Sequence, residues 1–261
     1  MDIGAALRKS ILFILPFGIY LQAFSQIDSV KAVNNFWGSV TVTTKGISTF
    51  PNLTLGRPAA IFDLAMGRKL TFEPQFRFDI NGKPWTFIFW WRYKIITTGK
   101  FRLNVGAHPA FTFKTQSFLI NGTMADRHVV NRYLASELSP VYMISKNISI
   151  GLYHIYSHGI EKEVIRHSNF ISLRSSFSNI KLTDQFYFRF NPQIYYLRLD
   201  QNGGYYFNST LTLAKRNLPL SVSSQINKTI KSDLLIGKDF LWNVSLIYSF
   251  NKRFEEVNKL N

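Results

Sequence analysis

At 261 residues the chain is long enough for one large domain or two small ones, and it holds no cysteine, which excludes a disulfide framework, a thiolate metal site, a cysteine nucleophile and an acylated lipoprotein cysteine. Aromatic residues make up 16% and charged residues only 18%, the reverse of what a water-facing surface needs. A net charge of +16 would suit a nucleic acid or an anionic surface, but the basic residues are spread through alternating runs and never cluster, so no nucleic-acid partner is expected.

The chain starts with Arg8 and Lys9, an apolar run over 11–24, and the small residues Ala23 and Ser25 around Phe24. These are the three regions of a secretory signal peptide, residues 1–25. Pro16 breaks the run, and the run is too short for an anchor helix. Residues 26–35 are polar and read as a periplasmic lead-in. No later apolar run approaches ~20 residues, so a bilayer would have to be crossed by a closed sheet.

Twelve alternating runs follow: 36–45, 59–67, 70–80, 85–97, 101–116, 127–144, 148–158, 168–182, 186–199, 205–215, 220–231 and 240–250. Period-two alternation is the strand signal. The third and fourth runs, joined by Asn81-Gly82-Lys83-Pro84, are the sharpest, because Asn-Gly between alternating runs marks a hairpin. One face there carries Leu70, Phe72, Pro74, Phe76, Phe78 and Ile80, then Trp85, Phe87, Phe89, Trp91, Tyr93 and Ile95. The other carries Glu73, Arg77 and Asp79, then Trp90, Arg92 and Lys94. An almost unbroken aromatic face opposite paired charges fits lipid outside and a polar lumen inside.

The expected fold is therefore all-β, a 12-stranded antiparallel transmembrane β-barrel over residues 36–250 in a bacterial outer membrane. Breaks after even-numbered runs are short, and those after odd-numbered runs reach 46–58, 159–167 and 232–239, which puts both termini in the periplasm. Pro74, Pro109, Pro140 and Pro192 share the lipid-facing parity, and bulges are expected beside them. The last run puts Trp242, Val244, Leu246, Tyr248 and Phe250 outward and resembles the C-terminal assembly signal of outer-membrane barrels. That resemblance implies the barrel-assembly machinery as a partner for insertion. A polar tail, 251–261, follows and departs from the usual pattern.

The inward set holds Asp63, Glu73, Asp79 and Glu137 beside Arg77, Arg92, Lys94, Arg102, Lys114, Arg174 and Arg189. Twelve strands make a narrow barrel, and bulky Trp90, Tyr133, Tyr187 and Tyr206 also point inward. A largely filled polar lumen of paired charges is expected, and with it a structural barrel or accessory subunit of an outer-membrane assembly. Its partners would be lipids, lipopolysaccharide and other outer-membrane proteins. Because bases outnumber acids inside, a small anion-selective pore is an alternative.

A second alternative comes from Gly151-Leu152-Tyr153-His154-Ile155-Tyr156-Ser157-His158-Gly159 and the run that begins His167-Ser168-Asn169. By parity His154, Tyr156, His158 and Asn169 face lipid, where polar groups need a partner or a purpose. This stretch resembles the outer-membrane phospholipase A and lipid A deacylase families, in which a lipid-facing His-x-Ser pair is oriented by an Asn or an acid. The resemblance implies a serine-type acyl hydrolase with His154, Ser157 and Asn169 as base, nucleophile and orienting group. His154 and Ser157 are three apart, so a bulge at Ile155–Tyr156 is required to bring them to one face. No cofactor is expected otherwise. Under this alternative alone Glu161 and Glu163 would offer a divalent cation such as Ca2+ two carboxylates.

Overall fold

A computed structural model of the chain describes residues 34–120, 123–234 and 238–254. The barrel is the unit Asn34–Arg253. The expected signal peptide lies outside the described residues, as do residues 26–33 of the lead-in and 255–261 of the tail.

Alternation without a helical period gives strands throughout: β1 (Asn34–Thr43), β2 (Ala59–Gly67), β3 (Leu70–Asp79), β4 (Pro84–Ile96), β5 (Phe101–Ile120), β6 (Thr123–Met143), β7 (Ile148–Gly159), β8 (His167–Lys181), β9 (Phe186–Leu199), β10 (Asn202–Lys215), β11 (Leu220–Ser232) and β12 (Phe240–Phe254). Each pairs with its chain neighbours and β12 returns to β1, closing an antiparallel barrel that leaves no free edge. Residues 34–35 and 251–254, expected in the lead-in and the tail, belong to the wall.

Side chains that reach over an intervening strand mark the inside. Arg92 on β4 meets Glu137 on β6, Arg174 on β8 meets Ser139 on β6, and Tyr195 on β9 meets Asn227 on β11. The opposite parity is outside and apolar. Phe76, Phe78, Phe87 and Phe113 form a run of tilted and edge-on rings with centroids 4.9–5.3 Å apart, and Leu138, Leu152, Ile171, Ile194, Leu211 and Leu246 stand exposed further round. Such a belt suits hydrocarbon and would be a severe liability in water.

The four prolines behave differently from expectation. None sits at a register shift. Each keeps one neighbour in register (Pro74 with Phe89, Pro109 with Leu134, Pro140 with Leu103, Pro192 with Ser209). On the other side the ladder lapses for two residues and resumes in the same register. A missing N–H removes a bond to one neighbour only, and the wall tolerates that gap without a bulge. The register shifts lie instead at Arg77/Phe78, Lys94/Ile96, Phe177/Ile180 and Tyr205/Tyr206. The first of these corrects the place of Trp85. With Arg77 opposite Thr86 and Phe78 opposite Pro84, Trp85 leaves the lipid face and is buried, donating its indole N–H to the Leu53 carbonyl at 2.9 Å.

Even-numbered strands end in tight links at 68–69, 97–100, 144–147, 182–185 and 216–219. At the other end the links 80–83 and 200–201 are equally tight, so among the described links the ends differ mainly through 44–58 and 160–166. The 44–58 link folds into the barrel. Gly46 N–H to Arg57 carbonyl closes its base at 2.8 Å, and Arg57 binds Asp79 at 2.8 Å. The 3-10 turn Pro51–Leu53 takes the Trp85 bond, and Phe50 stacks on Phe170 of β8, centroids 5.1 Å apart.

Candidate functional site

The charged residues of the lumen divide into a tied group and a loose one. Arg92 lies at the centre of the first. Its Nε and Nη2 bind Glu137 at 2.6 and 3.2 Å, its Nη1 binds Glu73, and its guanidinium covers the Trp90 ring at 4.2 Å. Glu73 also accepts from the Thr71 hydroxyl and Glu137 from the Tyr153 hydroxyl. The Tyr153 ring is covered by Arg174 at 4.3 Å, and Arg174 in turn donates to Ser139 at 2.6 Å. One cation thus takes two carboxylates, in the geometry that suits guanidinium best.

Outside that group the expected acid–base pairing thins out. Asp79 is used at the hairpin tip, by Arg57 and by the backbone N–H of Asn81 and Lys83. Asp63 has no cation within ion-pair distance among the described residues, and Arg77 donates to Gln75 and lies over Trp85. Lys94 sits over Trp37 at 5.9 Å. Arg102, Lys114 and Arg189 are exposed, with no ion partner among the described residues.

Within this wall lie cavities, two of which bear on the site. One, of about 350 Å³, lies toward the 44–58 link and is lined by Arg77, Arg92 and Arg174 with His108 and Thr112. Apolar residues complete it, among them Phe50, Ile88, Trp90, Ile155 and Phe170. The other, of about 440 Å³, is lined by small polar groups such as Ser149, Ser176, Asn191, Asn208 and Gln225. Thr49, Arg174 and Gln193 line both, so the two adjoin there. No carboxylate lines either one. The expectation of a filled lumen holds only at the level of the inward-folded link, where an apolar cluster gathers Trp90, Ile155, Phe170, Tyr195, Leu197 and Tyr206.

The three residues expected as a hydrolase site do not converge. From His158 opposite His167 to Ile148 opposite Phe177, the β7–β8 register is unbroken. His154 is opposite Ile171 on the outside, while Ser157 is opposite Ser168, which is buried on the lumen side. The bulge at Ile155–Tyr156 that would unite them is absent, so the serine and the imidazole stand on opposite faces of the wall. Asn169 is on the outer face, opposite Tyr156. The nearest histidine contact there is Tyr156 hydroxyl to His167 Nδ1 at 2.8 Å, with no serine in it. Glu161 is held by Arg132 through side chain and backbone, at 2.6 and 2.8 Å.

Sequence reasoning missed the apolar cluster beneath the inward-folded link. Parity places Ile155, Phe170, Tyr195, Leu197 and Leu199 inward, but their side chains look like lipid-facing ones. The only signal is that Tyr196 and Arg198 take the outward places between them.

No family model matches the chain, and no curated protein matches it in sequence. Among solved structures it is similar to the porin KdgM in complex with oligogalacturonate, at 8% identity and a TM-score of 0.47 over 83% of this chain and 99% of that one. An outer membrane channel from Pseudomonas putida F1 gives 9% identity and 0.46 over 86% of this chain and 100% of that one. OmpT of Vibrio cholerae gives 9% and 0.43 over 87% and 100%. Scores below 0.5 at such identities carry nothing about function, which has to come from the barrel's own side chains.

Proposed function

We propose that the chain is an outer-membrane barrel whose lumen conducts small anions, with the 44–58 link as its constriction. The observation that carries this is the unequal use of charge inside. Glu73 and Glu137 are both taken by Arg92, and Asp79 by Arg57, which leaves Asp63 as the one inward acid without an ion pair among the described residues. Lys94, Arg102 and Arg189 fall on the lumen parity near the tight-link end with no ion partner among the described residues. A narrow passage walled by one sign of charge concentrates the opposite ion and speeds its entry. The apolar belt supports a passage across a bilayer, and the contrast in link length supports an orientation with the long links outward and both barrel ends of the chain periplasmic.

Planar bilayers test it. The refolded protein under a potassium chloride gradient should give a reversal potential of the sign for chloride, and Lys94→Glu with Arg102→Glu and Arg189→Glu should move it toward potassium. A potassium-selective wild type would overturn the proposal. A second reading, a closed structural or accessory barrel, is favoured by the apolar cluster beneath the link. It predicts no conductance in wild type and none after Phe50→Ala.

A further inference from the structure

We propose that the 350 Å³ chamber beneath the 44–58 link is a binding site for a small aromatic carboxylate. The inference rests on the conduit reading and names the class of solute its constriction would select. Two polar atoms on residues that line the chamber, Arg77 Nε and Asn52 Oδ1, are buried without a hydrogen-bond partner, whereas Thr112 bonds Tyr133 and His108 bonds the Pro109 backbone. Asn208 Nδ2 shares their condition and lines the neighbouring cavity. Unmatched groups of this kind are costly and are normally paired. Their gathering on one chamber marks it as built for something other than packing.

The charge in the wall gives the ligand its sign. Arg92 is matched by two carboxylates, but Arg77 and Arg174 donate only to neutral oxygens, on Gln75 and Ser139. Neither has an ion pair among the described residues. Asp63 acts on Arg77 and Glu137 on Arg174 from beyond ion-pair distance, so neither guanidinium has its planar fork filled, and a carboxylate is the group that fork recognises. The remaining wall gives the ligand its body. Ile88, Trp90, Ile155, Phe170 and Phe50 form an apolar lining that a bare inorganic ion would leave unused. Phe170 is covered by Phe50 and Tyr195, but Phe50 is only part-buried and lines the same chamber as the arginines, and the volume lies at the small end of ordinary ligand pockets. A benzoate-sized anion fits both requirements. A sugar acid would leave the apolar lining unmatched.

Calorimetry on the detergent-folded full chain decides this, with benzoate, acetate and benzyl alcohol as probes. Benzoate should bind saturably, at least tenfold more tightly than either of the others. Arg77→Gln and Arg174→Gln should each weaken benzoate about tenfold, and Phe50→Ala should erase its advantage over acetate. Heat-modifiable mobility on gels shows that each variant is folded. Equal affinity for benzoate and benzyl alcohol, or no saturable binding, would overturn the site. The bilayer measurement separates this from the conduit reading. Chloride selectivity without benzoate binding sinks the site alone, and benzoate binding in a barrel that conducts nothing sinks the conduit alone.

Discussion

The lumen has two walls of opposite construction. From β3 to β8 it carries large groups, Arg77, Trp90, Arg92, Glu137, Tyr153 and Arg174, each meeting a partner from another strand or facing a cavity. From β10 to β12 it carries Asn208, Thr212, Ser221, Ser223, Asn227, Asn243 and Ser245, all buried. These short side chains bond locally: Thr212 to Ser223 at 3.2 Å, Asn227 to the Tyr195 hydroxyl at 3.0 Å, and Asn243 to the Lys45 carbonyl at 2.9 Å. The difference separates two tasks. The small-residue wall, Asn208 Nδ2 apart, pairs its own short polar groups and closes the barrel, whereas the large-residue wall holds charge in space.

Substitutions should therefore hurt unequally. The largest effect belongs to Glu137→Ala. Glu137 is nearly buried at 2% side-chain exposure, and its loss strips Arg92 of one counter-charge and the Tyr153 hydroxyl of its acceptor. Arg92 keeps Glu73 and is about a quarter exposed at 23%, so the cost should fall at the lower end for a broken buried pair, about 3 kcal/mol. Ser223→Ala on the opposite wall should cost about 1 kcal/mol or less. Urea unfolding of both variants in the same micelles measures the gap, and equal losses would erase the distinction between the walls.

Phe50→Ala comes next. It removes the ring stacked on Phe170, a contact worth about 1 kcal/mol beyond its area, and loosens the link's hold on β8. Single-channel conductance should rise while ion selectivity stays, because the basic groups near the tight-link end are untouched. Conductance no higher than wild type would remove the link as constriction.

The smallest effect lies outside both walls. Burial works against ionisation of Glu161, but hydrogen bonds from Arg132 outweigh it and hold the carboxyl below its ordinary value of 4.5. A lowered acid stabilises the fold above its unfolded value and loses that contribution as pH falls through the lower, folded one. Glu161→Gln should thus be slightly less stable than wild type at pH 7, by under about 1 kcal/mol for so exposed a pair, and the difference should shrink as pH falls below 4.5 toward the folded value. A difference that stays constant down the acid range would show that charge is not the cause.

Most of the wall was legible in the sequence because parity is a local property. Phe76 and Arg77 fall on opposite faces whatever else the barrel does, and strand bounds such as Ala59–Gly67 and Phe186–Leu199 follow from turn residues beside them. What was not legible depends on distant partners. Trp85 turns inward because one residue of β4 is extra opposite Arg77 and Phe78, and the indole finds a carbonyl in the 44–58 link. Phe170 and Leu197 look lipid-facing because an apolar side chain does not record whether oil or another ring covers it. The pairing of His154 with Ser157 failed for a related cause: their shared face needed a bulge, and the ladder from β7 to β8 runs straight through.

Neighbours Trp90 and Trp91 allow the assignment of faces to be measured directly, since Trp90 is 4% exposed inside the barrel and Trp91 is 50% exposed outside it. Two single-tryptophan proteins, each keeping one of the pair, would be folded into vesicles of brominated phospholipid. Trp91 emission should be strongly quenched by the brominated chains and Trp90 emission left nearly intact. Quenching of Trp90 with Trp91 spared would turn the barrel inside out and remove the basic lumen with it.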